Sequence, residues 1–118
     1  MPSIRQSTAL AIGAVNTNIL AGSKFEFLPN PCAIVVYAVV DAAGDALAGV
    51  NLELSMGNVV EADAIRVPRE PTAGTGPDMQ NHRVAAGVGA GGDRIQIRLS
   101  NQSGAAAVVR TLTEIRPL

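Results

Sequence analysis

Aromatic residues are scarce in this chain of 118 residues: they make up 3% of it, and tryptophan is absent. Its three rings, Phe25, Phe27 and Tyr37, all occur at predicted core positions, which counts against a sugar site built on exposed aromatic side chains. The apolar 47% is therefore mostly Ala, Val, Ile and Leu. Small side chains bury little area each, at roughly 25 cal/mol per Å². The sequence predicts a marginal core, for which oligomerisation is one remedy.

Charge is also scarce, at 16% of residues, and the formal net charge is −1. The chain lacks the excess of basic residues that neutralises a nucleic-acid backbone, so we expect no nucleic acid partner. Its longest apolar run, Cys32–Val40, is far too short for a membrane-spanning helix, so we expect a soluble protein without a membrane partner. Cys32 is the only cysteine, which excludes an internal disulfide.

Three glycines, Gly87, Gly89 and Gly92, spell the G-x-G-x-x-G pattern of dinucleotide-binding sites. Such a site needs a helix after the glycines, so that the helix N-terminus faces the pyrophosphate. Here Arg94–Leu99 alternates polar and apolar residues with the period of a strand. The pattern therefore predicts a hairpin connection with Gly91–Asp93 at its turn, and no nucleotide cofactor.

Other candidate chemistry is sparse. His82 is the only histidine, and Asp78 is the nearest carboxylate along the chain that could orient it as a base. Together they supply fewer ligands than zinc takes, and Glu61 with Asp63 supplies fewer oxygens than calcium takes. We expect no catalytic residues, no metal and no cofactor. A small β-barrel enzyme using His82 and Asp78 is an alternative.

Turn residues recur at short intervals, and the segments between them are rich in β-branched residues. This spacing predicts one all-β domain over residues 1–118, an antiparallel β-sandwich or barrel with jelly-roll or Greek-key connections. Pro68–Asp78, with three prolines and two glycines, is predicted to be a long surface loop. The predicted strands are Thr8–Val15, Asn18–Ala21, Lys24–Leu28, Cys32–Val40, Val50–Met56, one or two within Val59–Val67, His82–Val88, Arg94–Leu99 and Ala105–Ile115.

The segment Cys32–Val40 carries apolar side chains on both of its faces. One face is enough for the core of a two-layer sandwich, so the second face needs cover from a local loop or from a neighbouring subunit. The predicted interface residues are Val35, Tyr37 and Val39 on that second face, with Arg69 and Pro71 from the loop.

In style, the chain resembles small virion proteins of tailed and related bacteriophages over most of its length. The resemblance lies in short strands with Gly/Ala turns, in the Pro/Gly-rich excursion at Pro68–Asp78, and in the segment Arg94–Ala106. Such proteins are β-sandwiches or jelly rolls that form trimers or larger rings, and they act as capsid cement, decoration or minor capsid proteins.

The resemblance implies a non-enzymatic homo-oligomer, with a trimer favoured, that binds the major capsid protein or other virion proteins and needs no cofactor. It implies a location in the virion, or otherwise in the cytoplasm. Cement proteins often clamp their neighbours with an extended arm, a role that Met1–Ser7 would fill here. The near-neutral charge favours an outer or intersubunit position over one that lines the genome. The alternative is a small-ligand or carbohydrate-binding β-sandwich module.

Overall fold

The computed structural model describes residues 3–22, 26–28, 30–45, 47–57, 59–70, 76–77 and 82–117. Its described residues form strands and one short 3₁₀ turn, Ala43–Asp45, which follows the third strand. The strands are β1 (Ser3–Leu10), β2 (Val15–Asn16), β3 (Cys32–Val40), β4 (Val50–Met56), β5 (Val59–Arg66), β6 (Arg83–Gly89), β7 (Ile95–Asn101) and β8 (Ala107–Pro117). The predicted all-β class is confirmed.

The strands form two antiparallel sheets of four strands each. The first sheet has the order β1-β8-β3-β6, and the second has the order β2-β7-β4-β5. The two sheets pack face to face, so of the two predicted architectures the chain adopts the sandwich. Neighbours along the chain mostly lie in opposite sheets, and only β4 and β5 form a hairpin of consecutive strands.

Alternation of side chains places the core between the two sheets. β4 and β7 alternate buried apolar residues with partly exposed or exposed polar ones, as expected for strands with one face on the core and one toward water. β3 contributes its even-numbered residues to the same core. The fully buried large side chains of this layer include Ile34, Val36, Leu52, Leu54, Ile95, Ile97 and Leu99.

The N-terminal strands differ from the prediction. Ser3–Leu10 forms one regular strand along β8, from Ser3 opposite Glu114 to Leu10 opposite Ala107, in place of a strand over Thr8–Val15. Residues 3–7 of the predicted arm are thus paired with β8 of the same chain, and Met1 and Pro2 lie outside the described residues; a contact of this segment with neighbouring subunits stays a prediction.

The predicted strand Asn18–Ala21 is a turn, and the Asn18 side chain explains it. Its Oδ1 accepts hydrogen bonds from the backbone N–H groups of Leu20 (3.0 Å) and Ile97 (3.2 Å). Its Nδ2 donates to the carbonyl of Ile95 at 3.0 Å. An asparagine side chain thus occupies positions on the edge of β7 that a strand backbone would otherwise take.

In the predicted strand Lys24–Leu28, residues 24 and 25 lie outside the described part, and Phe27 forms an isolated bridge with Arg94.

Candidate functional surfaces

The predicted interface residues on the second face of β3 are buried within the single chain. Val35, Tyr37 and Val39 are 5%, 4% and 0% exposed. Val35 and Tyr37 pack with Leu112 into a small cluster separate from the main core. This face is therefore covered within the single chain, and an intersubunit contact through these three residues stays a prediction.

Part of the cover comes from the first residues of the predicted surface loop. The N–H of Val40 donates to the carbonyl of Pro68, and the N–H of Glu70 donates to the carbonyl of Val40, both at 2.9 Å. Arg69 lies between these two bonds, in a parallel bridge with Val40, and its side chain is exposed. Pro71, the last predicted interface residue, lies outside the described residues.

An ion pair fastens this segment across the outer face of the first sheet. The Nη1 of Arg110, on β8, donates to Oε1 of Glu70 at 2.9 Å. The Glu70 side chain is 3% exposed, whereas that of Arg110 is 31% exposed. The second carboxylate oxygen of Glu70, Oε2, accepts a long hydrogen bond of 3.4 Å from the N–H of Gly76. Sequence patterns missed this pair because the two residues are forty positions apart, and one of them lies in a loop.

The buried Tyr37 hydroxyl completes the polar contacts of this face. Burial raises the pKa of Tyr37 above its usual value, and the hydrogen bond to the Glu114 carboxylate raises it further. Glu114 also accepts a bond of 3.2 Å from Nη2 of Arg116. Both effects keep the phenol protonated, so at neutral pH Tyr37 serves as a neutral donor in a packed layer.

Of the candidate catalytic and metal residues, His82, Glu61 and Asp63 lie within the described part of the chain. The carbonyl of His82, a residue that is nearly buried, accepts a hydrogen bond from the N–H of Ala38 at 3.0 Å, and Asp78 lies outside the described residues. Glu61 and Asp63 are exposed on β5. Within the described ranges, His, Cys, Asp and Glu side chains form no group of three suited to a metal ion.

Two glycines of the glycine run have separate roles: Gly89 allows close packing against Leu28, and Gly92 lies in the turn between the two sheets. A Cβ on Gly89 would lie 2.4 Å from Cδ1 of the buried Leu28, so a larger residue does not fit there. Gly92 has φ +88°, which favours glycine in the turn where the N–H of Ala90 donates to Oδ2 of Asp93 at 2.9 Å. The predicted hairpin is wrong, because β6 and β7 belong to different sheets.

Exposed apolar side chains gather at the two ends of the sandwich. One end lies where β3, β5 and β7 begin and β6 ends, as the registers show. It exposes Phe27, Val59, Val60 and Val88, each more than half exposed, and we call these four residues the lower apolar end. The opposite end exposes Ile12, Val15 and Leu47, which we call the upper apolar end. Clustered apolar exposure of this kind is typical of interaction sites.

The outer face of the second sheet carries a polar depression of about 360 Å³. Glu53 and Arg98 lie directly opposite each other on β4 and β7, yet they form no ion pair. The depression is lined by Ala48, Asn51, Leu52, Glu53, Arg98, Ser100 and Gln102. Its polar side chains therefore keep their hydrogen-bonding groups toward solvent.

No protein-family model, curated protein or solved structure matches the chain. Among the residues that the structure describes, no helix is long and apolar enough to cross a membrane.

Proposed function

We propose that this protein is a non-enzymatic structural component of a virion, a capsid cement, decoration or minor capsid protein that stabilises the shell through contacts with itself and with the lattice. The observation that carries the proposal is the strand pairing. The four pairs β1–β8, β2–β7, β3–β6 and β4–β5 are those of one long hairpin rolled up into two sheets. That arrangement supports a jelly roll, the architecture common in viral capsid domains.

Two surface properties also support a role in assembly. The lower and upper apolar ends lie at opposite ends of the sandwich, so copies that met end to end would cover both. Low charge leaves few repulsive contacts between like molecules, since the formal net charge is −1. Weak contacts repeated over a lattice add up through avidity, so each one need not bury a large area.

Jelly rolls also occur in cupins and lectins. The space between the two sheets distinguishes this chain from a cupin. A cupin holds its metal or substrate inside the barrel, whereas the space between these sheets is filled by large aliphatic side chains such as Leu52, Leu54 and Ile97. Function therefore belongs to the outer surfaces of the sandwich.

Electron microscopy of the concentrated protein tests the assembly role. We expect regular rings, strings or lattices from the wild type. Phe27→Lys should abolish them, because it buries a charge in the contact between ends. Asp63→Lys, at an exposed position in the middle of β5 and away from both ends, is the matched control and should leave them intact. Single particles of one chain at every concentration would contradict the proposal.

A ligand-binding module is the second candidate, and the polar depression on the second sheet favours it. Its volume of about 360 Å³ falls within the usual range for small-ligand sites. A screen of soluble oligosaccharides by NMR, with Asn51→Ala as the control variant, tests this function. Shifts confined to residues of the depression and lost in the variant would support it, and their absence would remove it.

A further inference from the structure

We propose that β1 pairs in antiparallel fashion with β1 of a second copy, joining the two first sheets into one continuous sheet across a two-fold axis at Gln6. This inference rests on the proposed function, because it names the contact through which the chain would assemble with itself. It starts from β1 as an edge strand: β8 pairs with one side of it, and none of the other described strands pairs with it.

The hydrogen-bonding direction of each β1 residue follows from the ladder. The N–H of Asp41 donates to the carbonyl of Val108, so the backbone groups of Val108 point toward β3. The backbone N–H and C=O groups of successive strand residues point to alternate sides of the strand. Those of Val109, and of every second residue of β8 counted from it, therefore point toward β1. Their partners on β1 are Ile4, Gln6, Thr8 and Leu10. The backbone groups of Ser3, Arg5, Ser7 and Ala9 therefore point to the open edge.

These outward groups have no partner in the described part of the chain. No backbone bond outside the ladders and no side-chain bond there involves Ser3, Arg5, Ser7 or Ala9. The strand is also regular over its whole length, with no bulge in its register. A long regular edge without a bulge or an internal proline is a template for another strand.

The long edge strand of the second sheet, β5, is protected against pairing with a copy of itself. Its pairing with β4 shifts register twice, and bulges of this kind twist an edge away from partners. It also carries Glu61 and Asp63 two residues apart. Self-pairing centred on this segment sets carboxylates opposite each other, which is destabilising. β1 carries a single charge, Arg5, and so avoids this repulsion in most registers.

Three registers, with axes at Arg5, Gln6 and Ser7, set at least three outward residues of each copy in hydrogen-bonded pairs. An axis at Arg5 sets two arginines face to face, and an axis at Ser7 leaves Ser3 unpaired. An axis at Gln6 places Arg5 opposite Ser7 and Ser3 opposite Ala9. Only this register uses all four outward N–H groups of each copy while it separates the two arginines.

Gln6 supplies an independent observation at this axis. Its Nε2 donates to the carbonyl of Ile19 at 2.8 Å, but its buried Oε1 has no hydrogen-bond partner. An unpaired buried acceptor is costly and calls for a donor. On the axis the two Gln6 residues form a non-hydrogen-bonded backbone pair, in which side chains lie closest. A rotation of each terminal amide then lets the remaining Nε2–H of one copy donate to Oε1 of the other.

Charge substitutions at Ser7 test both the contact and its register, with the dissociation constant of the dimer measured by sedimentation equilibrium. Ser7→Glu faces the partner's Arg5 twice in each dimer and should tighten association roughly 2- to 30-fold. Ser7→Lys should weaken it by a similar factor, and Arg5→Glu/Ser7→Lys should restore it. Ser3→Glu, on the same face but opposite Ala9, is the matched control and should change it least.

The outcomes separate this inference from the proposed function. If the wild type assembles but neither Ser7 substitution changes the dissociation constant, the β1 contact is overturned and the proposed structural role is not. Weakening by both Glu and Lys at Ser7 overturns the Gln6 axis in favour of one at Ser7. A wild type that stays monomeric at all concentrations overturns both. Unfolding midpoints are measured alongside, because Ser7 lies opposite Arg110 on β8.

Discussion

Removing either partner of the Glu70–Arg110 ion pair should destabilise the chain, but by unequal amounts. Arg110→Ala leaves a carboxylate whose side chain is 3% exposed. Removing one partner of a buried ion pair costs about 3 kcal/mol or more. Glu70→Ala instead leaves an arginine that is 31% exposed and free to regain water. We expect it to cost about 1–2 kcal/mol, from the lost pair and from looser packing of the segment 68–70.

The free energy of unfolding, measured by urea titration with circular dichroism, tests this asymmetry. The larger loss corresponds to a fall in melting temperature of roughly 12 °C, at about 4 °C per kcal/mol for a chain of this size. Glu70→Ala/Arg110→Ala should be more stable than Arg110→Ala alone, because the double change removes the buried carboxylate together with the cation that balances its charge.

The control for this prediction is Arg94→Ala, which breaks the pair with Glu26. Arg94 is 45% exposed, so the substitution should change stability much less. Two results would refute the reasoning: a Glu70→Ala loss as large as that of Arg110→Ala, or a double variant whose loss equals the sum of the single losses.

Three further predictions concern the first sheet and the glycine run. Tyr37 is the only tyrosine and tryptophan is absent, so absorbance at alkaline pH reports this phenol alone. The pKa of Tyr37 is raised in the folded chain, so its contribution to the free energy of unfolding should be complete below the usual value of about 10 and should be lost as pH rises through the folded pKa. An absorbance titration of the folded chain with its midpoint at the usual value would contradict this. Gly89→Ala should cost about 1–3 kcal/mol in urea unfolding, since its Cβ would meet Leu28. Gly87→Ala should cost less, because its Cβ would meet Glu61, which is exposed and can shift toward solvent, whereas Leu28 is buried; equal losses would contradict this. Val39→Asp should prevent folding, as seen by circular dichroism, because position 39 is fully buried, and a folded variant would refute that burial.

The sequence predicted best where side-chain patterning was strong. The bounds of β3 and β4 are correct because a continuous β-branched run and a strict alternation leave no other interpretation. β5, β6, β7 and β8 are shifted by one or two residues at their ends. β1 was misplaced because its Ser, Gln and Thr residues resemble a loop, and its strand conformation comes from pairing with β8, about a hundred residues further along the chain.

The candidate sites were harder to predict, because they depend on which segments meet. The apolar second face of β3 was recognised, but composition did not show whether a loop or a subunit covers it. Glu70 and Arg110 reveal the local cover only when their segments are placed in space. The strand that follows the glycine run was predicted correctly from its alternation of polar and apolar residues. The hairpin assignment of the glycine run failed because sheet membership is a tertiary property.

The native mass of the purified wild-type chain, measured by light scattering on a size-exclusion column, tests the central claim most directly. One chain has a mass of 12.1 kDa. Assembly of the kind proposed predicts a mass that is a multiple of this value, an even multiple if β1 pairs across its two-fold axis, and a dependence on concentration. A mass of 12.1 kDa that does not change with concentration would contradict the claim that the chain builds larger structures from copies of itself.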